Sequence, residues 1–117
     1  MKLYDSELNI MEFLWRQKEA TAKEIAAEMA KTVGWSKTTT YTVLKKCVEK
    51  GAVKRQEPGF HCTPLISMEQ VQAYETRELI DKLYGGAADQ LVASLLGQQQ
   101  LSAEEIGKLK QLIQELD

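Results

Sequence analysis

The sequence contains no run of about 18 apolar residues, so none of it is expected to span or insert into a membrane. Its first residues, Met1 to Glu7, meet charged and polar side chains at once and lack the apolar centre of a signal peptide. There are two cysteines, Cys47 and Cys62, too few for a disulfide framework, and both are expected to be reduced in a cytoplasmic protein. There is one histidine, His61. Its neighbour Cys62 invites a metal reading, but adjacent side chains on a strand point to opposite faces and cannot grip one ion. No Ser/His/Asp set, phosphate-cradling glycine loop or paired-carboxylate arrangement is evident. The sequence therefore argues against an enzyme and assigns no catalytic residue, cofactor or metal ligand.

What is present is ordinary in amount and uneven in placement. Apolar residues make up 44% of the 117 residues and charged residues 27%, values typical of a soluble globular chain. The net charge of −2 conceals two opposite halves. Residues 1–67 carry eleven Lys and Arg against eight Asp and Glu, a balance of +3, whereas residues 68–117 carry four against nine, a balance of −5. From Lys31 to Arg55 there are seven basic residues and one acidic residue. A field able to attract phosphate is thus expected locally, in the first half.

The stretch from Trp35 to Gly51 has the marks of one helix. Ser36 occupies an N-cap position, and Gly51 a position for a left-handed C-terminal cap. Thr40, Val43, Leu44, Cys47 and Val48 recur at helical spacing and form an inner face. The opposite face carries Lys37, Thr38, Tyr41, Thr42, Lys45 and Lys46. Such a face suits either solvent or nucleic acid, and its surroundings decide between them. A helix with Leu8, Met11, Leu14 and Trp15 on one side precedes it. Next comes a capping box, Thr21-x-x-Glu24, opening a helix with Ala22, Ile25, Ala26 and Met29 inward. A short helix, a glycine-containing turn and a longer basic helix make a helix-turn-helix arrangement.

Beyond Gly51 the periodicity changes. Ala52–Gln56 and Phe60–Thr63 are expected to form strands around the turn Glu57-Pro58-Gly59. The expected fold is mainly α with a small β-hairpin wing: a winged helix-turn-helix domain over residues 1–67. In that setting Lys37, Thr38, Thr39, Tyr41 and Thr42 are placed to reach base edges or nearby phosphates of double-stranded DNA. Lys45, Lys46, Lys54 and Arg55 are placed to meet the backbone.

Residues 68–117 are expected to add three helices. Ser67-x-x-Gln70 opens the first, with Val71, Tyr74, Ile80 and Leu83 apolar, and Gly85-Gly86 ends it. Leu91 and Leu95 belong to a second apolar stripe. Ser102-x-x-Glu105 opens the third, in which Ile106, Leu109, Ile113 and Leu116 step along a narrow seam. So small a unit buries little surface by itself. The alternatives are packing of these stripes on their own chain or pairing with a second copy, and the homodimer is the stronger expectation.

Several of these segments also resemble a known family. Ile10-Met11-x-x-Leu14-Trp15, Thr21-x-x-Glu24-Ile25, Trp35-Ser36-x-x-Thr39 and Lys50-Gly51 are similar to the penicillinase-repressor family of the BlaI, MecI and CopY type. The similarity continues through Pro64-Leu65-Ile66-Ser67 and Ser102-Ala103-Glu104-Glu105-Ile106. It implies a homodimeric winged-helix transcriptional repressor on inverted-repeat operators, controlling resistance genes of the β-lactamase type. It also implies that Thr38, Thr39, Tyr41 and Thr42 read sequence, with Lys46 on the DNA backbone. The β-lactam-responsive branch answers to a membrane-bound sensor protease and is cut at an Asn-Phe bond, where this chain has Ser94-Leu95. The Cys-x-Cys cluster of the copper-responsive branch is absent from this sequence. A winged helix serving as a protein-interaction module, without sequence-specific DNA binding, is the alternative; the basic face from Lys37 to Lys46 argues against it.

Overall fold

The computed structural model describes residues 1–116. Helix α1 spans Asp5–Gln17, and after it come a two-residue strand β1, Ala20–Thr21, and helix α2, Ala22–Thr32. Helix α3, Lys37–Glu49, leads into the hairpin of β2, Val53–Gln56, and β3, His61–Pro64. Three further helices follow: α4, Met68–Leu83; α5, Ala88–Gly97; and α6, Ala103–Gln114. The chain divides into two compact units between Glu75 and Thr76, within α4.

The first unit is a winged helix-turn-helix fold. Its α1 buries Ile10, Met11 and Leu14. Its α2 opens with the expected capping box, in which Thr21 Oγ1 accepts the Glu24 N–H at 3.1 Å and Glu24 Oε1 accepts the Thr21 N–H at 2.9 Å. These bonds hold the Glu24 carboxyl below the usual carboxylate range. From α2 the core receives Ala22, Ile25, Ala26 and Met29. From α3 it receives Thr40, Val43, Leu44 and Cys47, with Val48 half-buried beside them. Burial pushes the Cys47 thiol up to about 12 and the Cys62 thiol up to about 11, so both are inert, uncharged core groups.

The wing is a three-stranded antiparallel sheet in the order β1-β3-β2. Val53 pairs with Pro64 and Gln56 with His61, while Ala20 lies opposite Cys62 on the other edge. Sequence periodicity did not anticipate β1, because two residues carry no alternation to detect. The return strand starts at His61 rather than Phe60, which takes a left-handed φ of 52° and belongs to the turn. Cys62 is buried and His61 exposed, so the two neighbours do face opposite ways.

One polar group lies where none was expected. Glu7 is 1% exposed, and its Oε1 accepts both the Tyr4 N–H at 2.8 Å and the Lys50 ammonium at 2.6 Å. Lys50 also donates to the Lys2 carbonyl at 3.0 Å and sits 4.5 Å from the Tyr4 ring centre. The start of α1 is thereby fastened to the end of α3.

The second unit holds one buried residue among those described, Ile80. At the end of α4, Gly85 and Gly86 take left-handed φ values of 59° and 84°, which lets the chain reverse. The Arg77 guanidinium bonds both Asp81 and the Gly86 carbonyl, and Tyr84 Oη meets Ser94 Oγ at 3.3 Å. Ser102 and Glu105 form the capping box of α6.

Removing the Lys50 ammonium leaves the buried Glu7 carboxylate without its cation, so Lys50→Ala should lower the unfolding free energy by about 2–4 kcal/mol. Lys45→Ala, at an exposed position, should stay within about 0.5 kcal/mol of the parent. Urea denaturation measures both, and equal midpoints for the two variants would show that Glu7 does not depend on Lys50.

Candidate nucleic-acid interface

Helix α3 is closed at both ends by its own sequence. Ser36 Oγ accepts the Thr39 N–H at 3.1 Å, satisfying an amide that has no partner within the helix. At the far end the Gly51 N–H donates to the Val48 carbonyl and the Ala52 N–H to the Cys47 carbonyl, both at 3.0 Å. That pair of bonds is a Schellman motif, and the φ of 81° at Gly51 is the left-handed geometry it requires. The rotation of the helix is set by its inner face. Thr40 is fully buried and donates its hydroxyl to the Ser36 carbonyl at 3.3 Å, so it adds no unsatisfied polar group to the core.

With that face buried, the opposite one is exposed. Lys37, Thr38, Thr39, Tyr41, Thr42, Lys45 and Lys46 all lie on the surface, and Lys54 and Arg55 are exposed on β2. The structure therefore brings the nine expected residues to the surface of one helix and its adjoining hairpin. A groove of about 370 Å³ separates the two elements, lined by Tyr41, Lys45, Val48, Glu49, Arg55 and Phe60. One basic residue of the Lys31–Arg55 stretch is not offered outward: Lys50 is held by Glu7.

Hydroxyls on this face have partners within the helix and its cap. Thr42 is exposed and donates its proton to the Thr38 carbonyl at 3.0 Å, which leaves its oxygen able to accept. Ser36 Oγ and Thr39 Oγ1 share a hydrogen bond at 3.0 Å. Threonine hydroxyls that donate or accept, beside apolar methyl groups, are chemically suited to base edges in a major groove. The Lys37 ammonium lies 5.6 Å from the Tyr41 ring centre, a weak exposed contact that leaves it able to turn to phosphate.

Sequence reasoning missed the partners of Arg55. Its guanidinium bonds Glu57 and lies 3.6 Å from the Phe60 ring centre. The signal was present in the i, i+2 spacing of Arg55 and Glu57, but only the turn brings the two together.

The residues expected to pair two chains are distributed as follows. Val71, on α4, is buried in the core of the first unit of its own chain, and Ile80 is buried as well. Tyr74 and Leu83 are exposed on α4, and Leu91 and Leu95 are half-buried on α5. Ile106 and Leu109 are half-buried on α6, where Ile113 is 57% exposed. Leu116 is 74% exposed and lies two residues past the end of α6. Ser94 and Leu95 are both within α5 and half-buried. Among the described residues no helix is long and apolar enough to cross a membrane, and no cluster of three or more metal-binding side chains forms.

Comparison with known proteins agrees with this geometry. The chain is 30% identical over 116 residues to the penicillinase repressor of Bacillus licheniformis, covering 97% of this chain and 91% of that one. It is 25% identical over 114 residues to the methicillin resistance regulatory protein MecI of Staphylococcus aureus, covering 96% and 93%. Among solved structures, the solution structure of the DNA-binding domain of the repressor BlaI superposes with a TM-score of 0.54 at 32% identity, covering 57% of this chain and 84% of that one. The family model for the penicillinase repressor matches residues 3–115, and the chain belongs to that family.

Proposed function

We propose that this protein is a DNA-binding transcriptional repressor that occupies an inverted-repeat operator as a homodimer, in the cytoplasm. The family is one of repressors and not of enzymes. The observation that carries the reading is the two-sidedness of α3, with Thr40, Val43, Leu44 and Cys47 buried and a threonine- and lysine-rich face exposed beside the wing. In this reading α3 lies in the major groove. Thr38, Thr39, Tyr41 and Thr42 meet base edges, while Lys37, Lys45, Lys46, Lys54 and Arg55 neutralise phosphates and release counterions. The relatives named for penicillinase and methicillin resistance support resistance genes as the targets.

The dimer is the reading of the second unit. Leu83, Val92, Leu96, Leu112, Ile113 and Leu116 are all exposed there, more apolar surface than so small a unit normally leaves in water. A second copy would cover it and set two recognition helices roughly 34 Å apart, or a multiple of that. Val71, already in its own core, is outside this interface. A membrane-bound sensor protease would be the signalling partner. A cut between Ser94 and Leu95 would require α5 to open first, because a protease engages extended backbone and both residues are helical and half-buried.

Thr42→Ala should lower affinity for the selected operator about tenfold and leave random duplex unchanged. Lys46→Ala should weaken both alike and reduce the salt slope by about one. Gel shifts at several salt concentrations read both, and equal losses on both duplexes for both variants would overturn the division of roles. Ile113→Glu should shift micromolar protein from dimer to monomer in sedimentation velocity and weaken binding to the full inverted repeat more than to a half-site. A parent protein that sediments only as monomer would remove the dimer from the account.

A further inference from the structure

A carboxylate in the turn of the wing holds one of its basic side chains. Arg55 is the penultimate residue of β2, and its Nε and a terminal nitrogen both donate to Glu57 Oε1, at 3.1 and 2.9 Å. The second carboxylate oxygen accepts the Phe60 N–H at 3.3 Å, so one side chain closes the turn and holds the guanidinium. The Phe60 ring supports the guanidinium from another side, 3.6 Å away. Arg55 and Phe60 also line the groove against Tyr41 and Lys45 of α3, on the side where DNA backbone is expected. The bonds to Arg55 and Phe60 keep the Glu57 carboxyl below the usual range, so it is charged throughout neutral conditions.

We propose that Glu57 is a positioning residue that limits the wing's grip on DNA: its carboxylate holds Arg55 against Phe60 and cancels its charge, so a phosphate reaches the guanidinium only by displacing Glu57. Both side chains are about half exposed, at 49% and 59%. An ion pair so exposed is weak in water, and a DNA phosphate, with its concentrated charge, can compete with it. The pair therefore keeps the guanidinium in place while lowering affinity for arbitrary duplex. The inference rests on the DNA-binding reading above and adds a residue that opposes binding.

The test titrates a random-sequence duplex with the full chain by fluorescence anisotropy across a salt series. The proteins compared are the parent, Glu57→Gln, Arg55→Ala and the double variant. Glutamine keeps an oxygen for the Phe60 N–H and removes the charge. Glu57→Gln should bind about two- to fivefold tighter than the parent, with a salt slope steeper by about one. In the Arg55→Ala background the same substitution should leave affinity and slope nearly unchanged, because its effect runs through the guanidinium. Equal tightening in both backgrounds would overturn the proposal, since the carboxylate would then act only as a general negative charge. No tightening in either background would overturn it too. A parent protein that binds no duplex at any salt concentration would refute the DNA-binding reading itself. That result is distinguishable, because in the other cases the parent still binds.

Discussion

Burial of one side of α3 decides what the rest of the molecule can offer. Leu44 and Cys47 are fully enclosed, Val43 nearly so, and Thr40 is admitted to the core because its hydroxyl is bonded to the Ser36 carbonyl. A helix held along that line cannot rotate without moving apolar groups into water, and each such side chain is worth about 1.5–3 kcal/mol. The threonines and lysines opposite are therefore presented as a fixed surface. Because the Schellman turn at Gly51 leads directly into β2, the wing is placed by the same helix. Helix α3 and the wing are consequently positioned together through the turn at Gly51.

The partly buried Glu7–Lys50 pair supports this arrangement from behind. It joins the first turn of α1 to the C-terminal cap of α3, and it withdraws a cation from the basic stretch. The Arg55–Glu57 pair treats a second cation differently, holding it at the surface in partly neutralised form. The positive field is thus narrower than the count of lysines and arginines suggests, and it centres on the outer face of α3. Such a field favours specific placement over indiscriminate attraction.

Much of this was legible in the sequence because it is local. The caps at Ser36, Thr21 and Ser102 and the inner faces of α2 and α3 depend on residues three and four apart, and they appear as expected. The Pro58-Gly59 turn and its flanking strands were legible for the same reason, to within a residue at each end. What was not legible depends on partners distant in sequence. The burial of Glu7 requires Lys50, 43 positions away, and β1 exists only because β3 returns beside it. In the second half, helix existence followed from apolar spacing, but spacing could not say which apolar residues the chain buries by itself. Val71 and Ile80 are buried, whereas Leu83 and Ile113 are left to water.

The central claim is that two copies of this fixed surface are presented together to one duplex. Selection of binding sites by the full-length protein from a pool of random duplexes tests it most directly. The account predicts recovery of two inverted half-sites whose centres are separated by a whole number of helical turns, about 10 base pairs each. A single unrepeated motif, or a pool with no enrichment over its starting sequences, would contradict it.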